Sequence, residues 1–105
     1  MFSGGGPSLP LGSDQSSPQP NTSVVVLAEN LRRYRVVFVN DSDTVIYIKK
    51  GDGAGANVGI RLNALGGCYV EEMHMHNGRG IMYTGIWTAY SGAASKILQI
   101  MEDSL

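Results

Sequence analysis

The chain holds one cysteine, two histidines and one tryptophan in 105 residues, and each scarcity closes a class of function. A lone Cys68 allows no intrachain disulfide and no paired-cysteine zinc or redox motif. It also has no histidine–aspartate arrangement around it that is recognisable in sequence, so a small buried apolar role is expected for it rather than a catalytic thiol. Charge is scarce too: the formal net charge is -1, which provides no field for drawing in a phosphate backbone, although Arg32, Arg33 and Arg35 form a local basic cluster. Specific nucleic-acid binding is therefore not expected. No apolar run approaches membrane-spanning length, and Met1 to Gly6 lack the charged and apolar regions of a signal peptide. The chain is expected to be made and used without export and without a membrane partner. Helical periodicity is missing throughout, which removes the helical fold classes.

What is present divides into two parts. Residues 1–22 are rich in Gly, Ser, Pro and Gln, with prolines at 7, 10, 18 and 20 and only Phe2, Leu9 and Leu11 as bulky apolar residues. Such a segment cannot form a core and is disordered in isolation. It is read as an extended arm that becomes ordered on a neighbouring subunit, with Phe2, Leu9 and Leu11 as its anchors. Residues 23–105 then form the folded domain. A domain of that size buries only about 60 to 65% of the surface its unfolded chain exposes, so support from partner subunits, and hence a homo-oligomer, is expected.

The domain is organised around Leu31 to Lys50. Val36, Val37, Phe38 and Val39 are apolar without alternation, which predicts a central strand covered on both faces. Tyr34 to Val39 and Thr44 to Ile48 flank the polar cluster Asn40-Asp41-Ser42-Asp43, the signature of a hairpin. Ser23 to Ala28, Ile60 to Leu62, Cys68 to Met73, Ile81 to Tyr83, Ile86 to Tyr90 and Lys96 to Met101 add further short strands, with Ser91 to Ser95 read as a second hairpin loop. Seven or eight short strands separated by turn signals predict an all-β fold, a small antiparallel β-sandwich or jelly-roll-like barrel with an extended N-terminal arm. Trp87 and Tyr47 are the expected large core residues.

Few residues could carry chemistry. Glu72, His74 and His76 lie two apart on a strand, which puts them on one face in a geometry suited to zinc. No third histidine completes a closed site, so no metal or other cofactor is expected, and the pair is read as exposed strand-end histidines. Asp41, Asp43 and Asp52 lack the bidentate glutamate of a calcium loop and fit turn capping better. The run Gly51 to Gly59, GDGAGANVG, lacks both the Gly-Lys-Ser/Thr ending of a phosphate loop and a following helix, and is read as a mobile surface loop. Arg32, Arg33 and Arg35 are expected at an interface or in solvent, with Arg33 and Arg35 on one face. No catalytic set emerges, and the chain is not expected to be an enzyme.

The succession Asn40-Asp41-Ser42-Asp43-Thr44-Val45-Ile46-Tyr47-Ile48, then Gly59-Ile60-Arg61-Leu62-Asn63, then Gly66-Gly67-Cys68-Tyr69 resembles small β-sandwich virion proteins of tailed bacteriophages. The likeness spans roughly Leu31 to Val70 and does not include the arm. It implies a structural role in the particle, most simply as a head decoration or cement protein touching the major capsid protein or neighbouring virion proteins, assembled in the host cytoplasm. A head–tail connector or a tail or fibre component is the second reading. A carbohydrate- or metal-binding module, using Tyr69, Tyr83, Trp87 and Tyr90 or Glu72, His74 and His76, is the reading from another class.

Overall fold

The computed structural model describes residues 13–16, 23–93 and 95–105. Among these residues it is all-β and antiparallel, with ten strands in chain order: β1 (Ser13–Ser16), β2 (Val24–Leu27), β3 (Arg33–Asn40), β4 (Ile46–Lys50), β5 (Ile60–Leu62), β6 (Cys68–Glu72), β7 (His74–His76), β8 (Arg79–Ile81), β9 (Trp87–Ser91) and β10 (Leu98–Ser104). Two four-stranded sheets, β1-β10-β3-β6 and β2-β9-β4-β5, face each other, and β7 and β8 form a separate hairpin. With that hairpin set aside, the first of the eight remaining strands pairs with the last, the second with the seventh, the third with the sixth and the fourth with the fifth. This is jelly-roll topology, with the hairpin inserted between the sixth strand and the seventh.

The topology revises both expected hairpins. β3 and β4 belong to different sheets, as do β9 and β10, so the segments between them are arches that cross the sandwich. Asn40 explains the first arch. It is fully buried, and its Nδ2 donates to the Thr44 carbonyl at 2.8 Å and the Leu62 carbonyl at 3.0 Å, while its Oδ1 accepts from the Ser42 amide and hydroxyl. Those bonds turn the chain out of one sheet and fasten it to β5 of the other. A hairpin would have kept both strands in one sheet and left that amide facing apolar neighbours, at a cost of about 1–3 kcal/mol.

The inner faces meet in a core of Leu27, Val36, Phe38, Ile46, Ile48, Leu62, Trp87, Ala89, Leu98 and Ile100. Phe38 and Trp87 join the sheets, ring centroids 4.8 Å apart. Tyr47 is not in this core: it lies on the outer side of β4, half-buried, with its hydroxyl donating to Asn57 Oδ1 at 3.0 Å. Cys68, expected to be buried, is exposed at the start of β6, because the alternation that turns Tyr69 inward turns its neighbour out.

Arg33 departs furthest from expectation. Opposite Asp103 and Ser104 of β10, β3 sets Arg35 and Arg33, so Tyr34 is an extra residue and the ladder bulges there. The bulge reverses the alternation and turns Arg33 inward, where it is wholly buried. Its guanidinium donates to Glu102 at 2.7 Å and to the carbonyls of Ala28, Tyr83 and Gly85 at 2.7, 3.2 and 3.0 Å. A buried charge needs such saturation, and here it ties two loops and β10 to one side chain. Arg33 and Arg35 therefore do not share a face.

Ser13–Ser16 lies within the segment expected as an arm and pairs antiparallel with β10 along its outer edge, Ser13 opposite Met101 and Ser16 opposite Leu98. The anchors expected at Phe2, Leu9 and Leu11 lie outside the described residues.

Candidate partner-binding face

The outer faces of the two sheets are finished differently. Over β2-β9-β4-β5, the glycine-rich segment between β4 and β5 folds back onto the sheet. Thr88 points outward from β9 yet is almost wholly buried, since its hydroxyl donates to the Gly51 carbonyl at 2.8 Å and accepts from the Ala54 amide at 3.2 Å. Ala54 is buried against it. Lys49 donates to the Asp52 carbonyl and Tyr47 to Asn57, fastening the same loop from below. The return needs a glycine at position 59, whose φ is +114° and where a Cβ would collide with the Ile48 carbonyl oxygen. The loop read as mobile is thus a cover held by side chains of the strands beneath it. Val25 on the edge strand β2 stays exposed.

Nothing among the described residues covers the outer face of β10-β3-β6. Register builds this face in rows. Asp103, Arg35 and Glu72 are directly opposed across three strands, then Met101, Val37 and Val70, then Gln99, Val39 and Cys68. The middle row is apolar from end to end: Val37 is shielded by its neighbours, but Met101 is 43% and Val70 45% exposed. In the charged row Arg35 meets Glu72 at 3.3 Å and Asp103 at 3.4 Å, so two carboxylates flank one guanidinium and the row carries a net negative charge. β3 is the interior strand expected, with Val36, Val37 and Phe38 buried and Val39 half-buried; the exposure on this outer face lies at the flanking Met101 and Val70.

The other expected site residues are dispersed. Arg32 is exposed near the C-terminal residue, its guanidinium 3.4 Å from the Leu105 carbonyl. Arg33 is inside and cannot meet a partner in this fold, which corrects its expected place at an interface. Of the three arginines Arg35 alone stands on the open face. Glu72 is engaged by Arg35, while His74 and His76 lie on β7, exposed, and no three ligand-type side chains gather among the described residues. Three of the four aromatic residues considered for carbohydrate stacking are turned inward: Trp87 is wholly buried, with the rings of Tyr69 and Tyr83 at 6.0 and 5.8 Å. Tyr90 alternates to the outer side of β9 and is half-buried. At that end of the core Lys50 lies over the Tyr83 and Trp87 rings and pairs with Glu71 at 3.0 Å, closing the edge between the sheets. Burial first, and then the hydrogen bond to Glu71, raise the Tyr69 hydroxyl above its ordinary value of 10.0.

Among the described residues, β7 and β8 stand clear of the sandwich as a separate two-stranded hairpin. Met73, whose amide still bonds to the Tyr34 carbonyl of β3, is the last link to the sheet. The turn Asn77-Gly78 has both φ positive, +50° and +77°, as a two-residue type I′ turn requires. Every residue in both strands is exposed, Met75 at 67%.

The open face was the feature sequence reasoning missed, although its signal was present: four successive apolar residues, in a sheet that has only one core side. Comparisons of the chain with protein-family models, curated proteins and solved structures give no match.

Proposed function

We propose that this chain is a non-enzymatic structural protein of a tailed-phage particle, a capsid decoration or cement protein that holds neighbouring virion proteins through its open sheet face and N-terminal segment. The observation that carries the reading is the unequal finish of the two outer faces. One is closed by the chain's own loop, whereas the other presents an unbroken apolar row beside a charged one. An apolar row left in water on an otherwise well-closed domain marks a place that another surface covers. The resemblance between Leu31 and Val70 to small virion proteins supplies the setting. A segment tethered next to that face adds a second point of attachment and raises its effective concentration.

The test is stoichiometry in purified particles. A cement protein approaches the copy number of the coat subunit, a connector forms a single ring, and a chain missing from particles sinks the proposal. Deleting residues 1–12, which spares β1, separates the two attachments: truncated protein should lose a competition with the full chain for particles lacking it.

A further inference from the structure

The open face and the β7–β8 hairpin are two exposed features with no counterpart inside the domain, and their chemistry is complementary. Directly opposed residues of a hairpin share a face, so His74 with Ile81, and His76 with Arg79, lie together. No aspartate or glutamate occurs between Glu72 and Glu102, and Arg79 takes part in none of the ion pairs among the described residues. This hairpin face therefore carries the positive charge of Arg79 and two imidazoles, with no carboxylate, around one apolar side chain, Ile81, itself 43% exposed. A shallow depression lined by His76, Asn77, Arg79, Gly80, Ile81 and Met82 adjoins it. A two-stranded hairpin on its own is marginal in water, so one this exposed gains most from a surface to lie on. The open face offers the converse: an apolar row bordered by Glu72 and Asp103, whose side chains are 65% and 41% exposed.

We infer that the hairpin of one copy seats on the open face of the next, Ile81 on the Met101–Val37–Val70 row and Arg79, His74 and His76 against Glu72 and Asp103. The inference rests on the reading of the open face as a docking surface and names its occupant, a second copy of this chain. Met101 projects from the row and fills the depression beside Ile81. Stacking two open faces about a two-fold axis would cover the apolar rows but leave Arg79 of the hairpin unmatched. Because the two contacting surfaces differ, the contact is head-to-tail, and it closes into a ring where the rotation allows. A narrow finger covers less than the roughly 1,200–2,000 Å² of a stable two-body interface. Each contact is accordingly weak, and ring closure, which makes the last contact intramolecular, holds the assembly together.

Sedimentation of the full chain across a concentration series tests this, with thermal melting of each variant to verify folding. Association should depend on concentration, Arg79→Glu should weaken it at least tenfold, and Arg79→Glu combined with Glu72→Lys should recover it. Cross-linking fixes the geometry. Cys68→Ser/Val70→Cys mixed with Cys68→Ser/Ile81→Cys should give disulfide-linked dimers that neither variant gives alone. A chain monomeric at every concentration, or oligomers indifferent to Arg79→Glu, overturns the inference. Dimers from the Val70→Cys variant alone also overturn it, since they mark a two-fold stack of open faces. If Val70→Asp lowers particle incorporation while the chain stays monomeric, only this inference falls. If incorporation ignores Val70→Asp, the docking role of the face falls.

Discussion

The two outer faces of this sandwich begin from similar material and end in opposite states. Over β4 and β9, Tyr47, Lys49 and Thr88 are used to hold a returning loop, so that even an outward threonine is buried. Over β3, Val37 is shielded beside its cross-strand neighbours, while Met101 and Val70 on either side of it stay exposed. The difference lies in the connections: β4 and β5 are joined by a glycine-rich segment long enough to fold back, whereas Asn40 and its arch turn the chain across the sandwich without covering the face. A face closed by its own chain contributes to stability, and a face left open contributes to association.

Three substitutions probe that contrast, and a fourth serves as a control away from it. The largest effect is expected where the sheets share a core: Phe38→Ala removes the ring against Trp87 and should cost about 3–5 kcal/mol, enough to unfold a domain of this size. An unchanged melting temperature would show that the sheets do not depend on each other. Next, Thr88→Val keeps the volume but strands the Gly51 carbonyl and Ala54 amide under the loop, for an expected loss of about 1–3 kcal/mol. Amide exchange at Ala54 should accelerate; unaltered exchange would mean the cover is not held from below. On the open face the expectation inverts. Val70→Asp should cost about 1 kcal/mol or less in stability, yet reduce attachment tenfold or more, equivalent to at least ~1.4 kcal/mol of binding. Equal losses in both assays would erase the distinction between the faces.

The smallest effect lies away from both faces. Lys96 donates to Asp43 at 2.7 Å, and that hydrogen bond, followed by the one from Thr44, holds the carboxyl below its ordinary value of 3.8. A depressed carboxylate contributes stability that is present above the unfolded value and lost as pH falls through the folded one. Lys96→Ala should therefore raise the Asp43 titration midpoint in NMR and remove that part of the acid dependence, leaving the melting temperature at neutral pH nearly unchanged for so exposed a pair.

Apart from β1, which lies in the segment read as an arm, and β8, which spans Arg79–Ile81 rather than Ile81 to Tyr83, most strand positions were legible because alternation and turn residues are local. The pairing was not. Asn40-Asp41-Ser42-Asp43 reads the same whether it reverses the chain within a sheet or carries it to the opposite one, and the deciding partner, the Leu62 carbonyl, lies 22 residues away. Nothing in Leu31-Arg32-Arg33-Tyr34-Arg35 says which arginine turns inward, since that depends on a bulge measured against β10. Tyr47 and Trp87 look alike as large aromatic residues in short strands, and their opposite fates follow from which side of each strand meets the other sheet. The apolar run of β3 was read correctly as unusual, but sequence alone could not separate a face buried by its own fold from one awaiting a neighbour.

The nested strand order also has a consequence for how the protein is made. Only β4 with β5, and β7 with β8, pair with a sequence neighbour; β3 waits for β10, and β2 waits for β9. During synthesis the first half of the domain thus leaves the ribosome with its apolar strands unmatched, and no sheet closes until β9 and β10 have emerged. Such non-local pairing places folding in the slow, millisecond-to-second range and leaves Val36 to Val39 exposed to other nascent chains meanwhile. Expression at lower temperature and slower rate should raise the soluble yield, and the gain should be greatest for variants that weaken β10.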